Sequence, residues 1–347
     1  MPVHQDRGLA TVNTAPQPRR WLALGALTLA LLITALLRLT LDHPPGGGIG
    51  FAWPDPEWVR YRWTALANAV SAGGALGLAG LLLQSLLRNP LASPYVLGAS
   101  SGAGLGIMVS LYLTHRMGGT ALPPARATLP ALAGSLGALG LVLGLATRRG
   151  GPDPVNLLLV GVVVSTLCGA GILFFQYLVP MGLRGEFLTW LMGHVPQATP
   201  PADLMLAASL PLAGLAFTLR MAGALDAGAL SEEEARSIGV PVNALRLGGF
   251  LLAGLLTAGA VAVTGPIGFL GLIAPHLARG MAGPRHATAA PASLLAGAWL
   301  LVLADTASQL LDFGTGPMPP GVFTALAGGV LFLVLLHRTR SWTLDGM

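Results

Sequence analysis

The sequence predicts an all-α, polytopic membrane protein of about ten transmembrane helices, and three observations support this fold class. Of the 347 residues, 53% are hydrophobic and only 10% are charged, whereas a soluble globular protein carries about 25% charged residues. The apolar residues are gathered into long runs, and a run of about 20 helical residues crosses a hydrocarbon core of about 30 Å. The loops between the runs are too short to build a soluble domain.

Polar, glycine or proline residues bound each apolar run and set the order of the expected helices. The first run follows a basic stretch and lacks an obvious small-residue cleavage site, so we expect it to be retained rather than removed as a signal peptide. The eighth and tenth runs are short, which is typical of a half-helix and leaves the count open by one or two. The ten predicted spans are residues 21–41, 64–87, 94–113, 128–147, 154–179, 202–221, 246–263, 267–281, 290–311 and 321–336.

The basic side chains predict the orientation. All 19 of them are Arg, because the sequence contains no Lys. If the N-terminus is cytoplasmic and the spans alternate, thirteen Arg fall inside and six outside, which is the bias that cytoplasmic loops show. We therefore expect an inner-membrane protein with both termini cytoplasmic: a tail over 1–20, a transmembrane domain over 21–338 and a tail over 339–347. The same bias explains the net charge of +5 without nucleic acid as a partner.

The residue inventory argues against several kinds of site. A P-loop needs a Lys for the terminal phosphates, so this chain is not expected to hydrolyse ATP by that chemistry. The seven His are scattered and Cys168 is the only thiol, so no metal site is expected. Residues 98–102 fit the Gly-x-Ser-x-Gly pattern around Ser100, but a nucleophile elbow needs a preceding strand and this segment lies in a helical run. We expect no cofactor on this chain, and a membrane-embedded enzyme is weakly supported.

One polar segment stands out between the second and third runs. Gln84, Arg88, Asn89 and Pro90 interrupt sequence that is otherwise apolar enough to lie in lipid. Hydrocarbon cannot satisfy the backbone groups that such a break frees, so the segment must lie at the membrane face or in a protein-lined cavity.

A second informative segment is the inner loop, residues 222–245. Within it, Ser231 precedes three Glu and Gly239 closes the stretch, and these are signals that begin and end a short helix. Taken alone, the loop is better explained as a solvated connector.

Three blocks of sequence, in this order, resemble the FecCD-type permeases, the membrane subunits of ABC importers for iron-siderophore complexes, haem and cobalamin. The first block covers residues 73–103 and contains Arg88-Asn89-Pro90-Leu91-Ala92. The second covers 233–240 and resembles that family's version of the Glu-Ala-Ala coupling motif. The third covers 264–279 and is followed by Ala304-Asp305 and Pro319-Pro320-Gly321-Val322. Together the blocks span most of the chain from Arg60 to Leu336.

The resemblance implies an assembly. Such permeases have about ten helices and pair with a second permease subunit, which is the same or a different chain. Two cytoplasmic ATPase subunits use ATP and Mg, and a substrate-binding protein docks outside. The inner loop would dock in a groove of the ATPase, which makes the solvated connector a minor alternative. The implied coupling residues are Glu233, Glu234, Ala235, Arg236, Ser237, Ile238, Gly239 and Val240.

The other matched residues receive separate roles. The resemblance implies translocation or gating for Gln84, Arg88, Asn89, Pro90, Pro266 and Pro275, although a purely structural role is equally open for the first four. The two later prolines each remove a helix hydrogen bond and permit a broken or movable span. We expect structural roles for His276, Arg279 and Asp305. An acid in a span is costly unless it is paired, so Asp305 is expected in an ion pair or cap, yet no sequence-adjacent partner is evident.

The sequence departs from the family pattern at three places, one of them near the end, where the family's Gly-x-Pro becomes Gly328-Gly329-Val330. The family's Arg-Leu-Pro-Arg segment before the second helix becomes Arg62-Trp63-Thr64-Ala65, with Arg60 upstream. Gln309 stands where the family often has an Arg, four residues after the acid. Docking of the binding protein is therefore assigned to Arg60, Arg62 and Arg184, or falls to a different partner subunit.

The function expected from these residues is that of a permease subunit of an ATP-driven importer for an iron-siderophore-type metal chelate, with haem or cobalamin as alternatives. The rival from another class is a stand-alone, ion-coupled secondary transporter that uses Asp305 as its proton or sodium site. A membrane-embedded enzyme acting through Ser100 is the second rival.

Overall fold

The computed structural model describes residues 17–42, 50–119, 124–148, 151–228, 232–311 and 318–344. Most of the predicted N-terminal tail, residues 229–231 of the inner loop, and residues 345–347 lie outside these ranges. The helices are α1 Gln17–Thr40, α2 Pro56–Leu86, α3 Ala99–Arg116, α4 Pro124–Ala146, α5 Pro154–Leu178, α6 Met181–Leu191, α7 Pro201–Arg220, α8 Ala222–Ala227, α9 Glu232–Ser237, α10 Val242–Thr264, α11 Leu270–Ala282, α12 His286–Leu310 and α13 Pro320–Leu344.

Small non-helical elements lie between the helices. Strands β1 Leu41–Asp42 and β2 Gly50–Phe51 form one antiparallel ribbon, and β3 Thr147–Arg148 pairs with β4 Gly151–Pro152 in another. A 3-10 turn, Pro94–Leu97, leads into α3. Because nearly all regular structure in the described residues is helical, the all-α prediction is confirmed.

Each of the ten predicted runs corresponds to a helix of the structure. Seven helices of the described residues are long and apolar enough to cross a membrane: α1, α2, α4, α5, α7, α10 and α12. The predicted third, eighth and tenth spans correspond to α3, α11 and α13. Helix α11 has 13 residues and is therefore about 20 Å long, so the half-helix expectation applies to the eighth run. Helix α13 continues past the predicted boundary at residue 338.

Helix α2 forms the centre of the bundle, and its contact with α12 depends on small residues. A Cβ on Gly73 would collide with the carbonyl of Gly297, and one on Gly77 would collide with the carbonyl of Ser293. The Ser293 hydroxyl also donates to the Gly77 carbonyl at 2.8 Å. Such close backbone approach replaces the hydrophobic drive that is absent between helices in lipid, so α2 and α12 form a tightly packed pair.

The two ends of the bundle carry different short elements. Helix α6 precedes α7, whereas α8 and α9 follow it, so α6 lies at one end of α7 and the other two lie at the opposite end. We name these the α6 end and the α9 end. The C-terminus of α2 and the N-termini of α10 and α12 lie at the α9 end.

Cys168, the only cysteine of the sequence, is buried in α5, with 7% of its surface exposed.

Helix α11 begins inside the bundle rather than at its edge. Helix α10 ends before Gly265 (φ 69°), and Phe269 (φ 62°) precedes α11. Gly271 packs against the stretch of α2 around Gly80, six residues before that helix ends, which corresponds to about 9 Å of helix. In the intervening break, the Tyr95 hydroxyl donates to the carbonyl of Ile267 at 2.6 Å and accepts from its N–H at 2.8 Å. Both backbone groups of Ile267 are thereby satisfied.

Candidate functional site

Helix α9 is a short helix with a well-defined end. The N–H of Gly239 donates to the Arg236 carbonyl at 3.0 Å, and the N–H of Val240 donates to the Ala235 carbonyl at 3.0 Å. Gly239 has φ 85°, and this pair of bonds is the Schellman motif that a glycine permits at a helix C-terminus. The end that the sequence signals predicted is therefore formed at Gly239.

Among the side chains of α9 that the structure describes, one faces the bundle and the others face outward. Ala235 is fully buried over a small cleft between the end of α2, α8 and the start of α10. Glu233, Glu234 and Arg236 are exposed. Ile238, directly after the helix, has 62% of its surface exposed, which is high for a large apolar side chain at a helix end. Helix α9 thus presents a mixed charged and apolar face away from the bundle.

The turn after α2 touches the inner loop through one arginine. Arg88 has φ 48°, and its Nη2 donates to the carbonyl of Gly228 at 2.9 Å. The Oδ1 of Asn89 accepts from the N–H of Leu91 at 2.9 Å, which is the side-chain turn that Asn favours before Pro90. Asn89 and Pro90 therefore shape the turn, while Arg88 connects it to the loop that carries α9.

A chain of polar contacts crosses the α9 end from α11 to α8. Arg279 on α11 donates to Gln84 Oε1 at 2.6 Å and to Ser85 Oγ at 3.3 Å, both on α2. Ser85 Oγ lies 2.7 Å from Nε2 of His286 at the start of α12. His286 Nδ1 lies 2.6 Å from Oδ1 of Asp226 on α8, and the His286 N–H donates to the same oxygen at 2.9 Å. Four elements are joined in this way.

Sequence reasoning found only part of this chain. Gln84 and Arg279 were selected, but Ser85, His286 and Asp226 were not. Asp226 and His286 are 60 positions apart, and Ser85 and His286 are 201 apart, so no local spacing pairs them. The available signal was a His and an acid beside apolar runs, which identifies a candidate but not its partner.

The electrostatics of Asp226 follow from its position. Partial burial raises the pKa of this carboxyl, but hydrogen bonds from the His286 side chain and backbone, together with the charges at His286 and Arg285, lower it by more. The pKa of Asp226 is consequently below its ordinary value of 3.8, and the carboxylate is ionised at neutral pH.

The prolines and the histidine of α11 occupy different environments. Pro266 lies in the break between α10 and α11, and Pro275 is buried within α11. His276 is exposed on the surface of α11. Helix α11 therefore combines a backbone break at one end with an interior proline, while Arg279 attaches its other end to α2.

Asp305 is paired with a residue that sequence reasoning did not select. Its Oδ2 accepts from Arg38 Nε at 2.5 Å, and the two side chains are 7% and 3% exposed, respectively. When the side-chain amide of Gln309 is oriented with its oxygen toward Arg38, that oxygen also accepts from Arg38 Nε at 2.7 Å. The acid on α12 is thus neutralised by α1, 267 positions away in sequence.

The three arginines assigned to outer docking differ in their contacts. Arg62 donates to the carbonyls of Leu39 and Leu41, at 2.8 and 2.6 Å. Arg184 donates through Nε to the carbonyl of Val179, at 2.9 Å, at the end of α5. Arg60 is exposed. Two of the three guanidinium groups therefore satisfy backbone carbonyls at helix ends.

Nearly the whole helical part of the chain is similar to one known transport family. Residues 21–338 match the model of the FecCD transport family. The chain belongs to the FecCD transport family. The match covers every helix that carries the contacts described above.

Several named proteins are similar to this FecCD chain. The hemin transport permease HmuU of Yersinia pestis is 36% identical over 82% of this chain and 84% of its own length. The cobalamin import permease BtuC of Halobacterium salinarum is 33% identical over 94% and 91%. The Fe(3+) dicitrate transport permease FecD of Escherichia coli is 35% identical over 81% and 85%.

A solved structure agrees with the fold. A chain described as an inward-facing ABC transporter of the metal-chelate type has a TM-score of 0.79 and 28% identity, covering 92% of this chain and 99% of the other. FecCD permeases are multi-pass membrane subunits of ABC importers rather than enzymes, and they work with ATPase partners and a second permease. The chain is therefore an importer permease, and the rivals built on Asp305 alone or on Ser100 lose their support.

Proposed function

We propose that this FecCD chain carries an iron-siderophore-type metal chelate across the inner membrane, with haem and cobalamin as the competing cargoes. The relatives named above transport hemin, cobalamin and iron dicitrate, all of them metal complexes. The observation that carries the importer assignment is α9, a short helix with one buried residue and an outward face that suits a protein partner.

In this proposal, α9 is the contact with the ATPase. A partner groove would cover Ile238 and the charged residues Glu233, Glu234 and Arg236, while the Schellman end at Gly239 fixes the direction in which the helix is presented. ATP and Mg belong to the ATPase, and this chain binds neither. The α9 end is then the cytoplasmic face, which agrees with cytoplasmic termini.

The moving part of the permease is proposed to be α11. The break at residues 265–269 separates α11 from α10, so α11 can change position while α10 stays in place. Gln84 contacts α11 at Leu272 and Arg279, Arg88, Asn89 and Pro90 form the turn that follows α2, and Pro275 weakens the middle of α11. These residues are proposed to open and close the path rather than to bind cargo tightly.

Outside, the binding protein is proposed to contact Arg60. Arg62 and Arg184 donate to carbonyls within the chain, so their first role is structural. Of the three arginines assigned to docking of the binding protein, only the exposed Arg60 is then left for that contact. Residues of the second permease subunit, which is a copy of this chain or a different chain, would add to the contact.

An Ile238→Arg variant tests the α9 contact. The full complex, reconstituted in liposomes with its ATPase and binding protein, should show stimulated ATP hydrolysis for wild type and loss of both ATPase association and stimulation for the variant. Met117→Arg is the matched control, because Met117 is 84% exposed and lies after α3 at the α6 end. Equal hydrolysis in all three proteins would contradict the assignment.

Cargo is tested in the same liposomes. ATP-dependent uptake of a labelled ferric siderophore, measured in competition with haem and with cobalamin, should be the fastest of the three. Faster uptake of haem or cobalamin would replace the siderophore while retaining the importer, and uptake of none would contradict the metal-chelate assignment.

A further inference from the structure

We propose that Asp226, His286, Ser85 and Arg279 form the connection through which movement of the inner loop reaches half-helix α11. These are positioning residues, and the proposal rests on the proposed docking of α9 on an ATPase. It adds to that function a specific route between the docking loop and the movable helix.

The first step of the argument is the packing of the frame. Helices α2 and α12 meet backbone to backbone at Gly73, Gly77, Ser293 and Gly297. Any larger residue there would collide, so this pair has little freedom to slide. It provides a rigid frame to which the other elements attach.

The second step is the way in which α8 attaches to this frame. Asp226 on α8 holds both the ring and the backbone N–H of His286 at the first residue of α12. Arg88 adds a contact to Gly228, at the end of α8. Helix α9 follows α8 closely in the sequence, so a displacement of α9 that passes back along the backbone reaches these contacts.

The third step is the way in which α11 attaches. Arg279 binds Gln84 and Ser85, and Gln84 Nε2 donates to the carbonyl of Leu272 at 3.2 Å. Ser85 is therefore shared: its hydroxyl faces Arg279 on one side and His286 on the other. Both movable elements meet at this one side chain.

Burial makes this network of polar contacts act as a unit. His286 and Gln84 are 5% and 4% exposed, and leaving one buried polar group unsatisfied costs more than the hydrogen bond itself contributes. A displacement that breaks the Asp226 contact leaves the buried His286 ring without its partner at Nδ1 and so disturbs its contact with Ser85, whose hydroxyl also donates to the Leu81 carbonyl and accepts from Arg279. Buried polar networks of this kind have few alternative arrangements, as a two-position switch requires.

The test compares transport with hydrolysis in the full reconstituted complex. Asp226→Leu should keep ATPase association and ATP hydrolysis, while chelate transported per ATP falls about five- to tenfold, within the range of couplings between distant protein sites. Asp226→Asn retains an acceptor oxygen for His286 and should recover most of the ratio. Thr257→Val removes a buried hydrogen bond within α10, outside both the frame and this network, and should leave the ratio unchanged.

A second variant acts at the α11 side of this network of polar contacts. Arg279→Met should lower the same ratio, and the double variant Asp226→Leu with Arg279→Met should be no worse than the stronger single variant, because both cut one connection. Additive losses would overturn the proposal, as would a wild-type ratio in either single variant or a Thr257→Val loss of equal size. Failure of the wild-type complex to associate with any ATPase would instead refute the proposed function.

Discussion

Arg38 and Asp305 show how one residue pair connects distant parts of the chain. The acid on α12 would be costly in a membrane on its own, and the guanidinium on α1 neutralises it at 2.5 Å with both side chains buried. Gln309 shares the guanidinium. Because Arg38 occurs just before the end of the first apolar run, its sequence neighbours alone suggest an interfacial arginine rather than a buried partner.

Removing one member of this pair should destabilise the protein more than removing both. Arg38→Met or Asp305→Leu leaves a buried charge uncompensated and should cost about 3–5 kcal/mol of the free energy of unfolding, whereas the double variant should cost clearly less. Thermal unfolding of the three purified variants in detergent measures this. A double variant as unstable as the sum of the singles would show that the pair does not interact as described.

Asp226 gives the protein a specific dependence on pH. Its pKa in the folded protein is below the ordinary value of 3.8, so its contribution to stability is fully present above that value and is lost as the pH falls through the folded-state pKa. Wild type should therefore unfold at a higher temperature than Asp226→Asn at pH 5 to 7, and the difference should shrink below about pH 3.8. A difference that is independent of pH would contradict the ionised contact.

At the scale of elements, the sequence predicted where the helices lie along the chain well, but it predicted the contacts between helices poorly. Composition and run length placed nearly all the spans, and the acids before Gly239 placed α9 almost to the residue, because those signals are local. The contacts of Ser85, His286 and Arg38 were not predictable, because each joins residues far apart in sequence and depends on which faces of which helices meet. The half-helix was expected from run length, but its start inside the bundle was not.

The break before α11 should depend on one hydroxyl. Tyr95→Phe removes both hydrogen bonds to Ile267, leaving a buried N–H and a buried carbonyl unsatisfied, and should cost about 1–3 kcal/mol for such a group. Tyr112→Phe is a matched control on α3, where the ring packs against Phe175. Thermal unfolding in detergent compares them, and equal stability of both variants would mean that the break is held by other contacts.

At the scale of the whole molecule, the two ends of the bundle have different tasks. The α9 end concentrates the polar chain, the turn at Arg88 and the exposed face of α9. At the α6 end, Arg62 and Arg184 satisfy helix-end carbonyls, while Arg60 is exposed. In the assembly that we propose, the first end receives the ATPase and the second receives the binding protein.

Arg60 should matter to that second partner. Arg60→Glu should weaken binding of the substrate-binding protein up to about fivefold, the range expected for an exposed charge pair, and the loss should diminish at high salt. Arg116→Glu, an exposed arginine at the end of α3, should bind normally. Binding measured by surface-attached permease in nanodiscs decides this, and identical affinities for both variants would refute a direct contact.

The buried thiol of Cys168 has a practical consequence for watching the protein work. A maleimide spin label added to the native chain meets one cysteine, and that cysteine is shielded within α5. Cysteines introduced at two exposed positions, Asn243 in the inner loop and His276 on α11, would therefore be labelled selectively without first removing the natural one. The distance between those two labels, followed through a cycle of ATP binding and release, would report directly whether the loop and the half-helix move together.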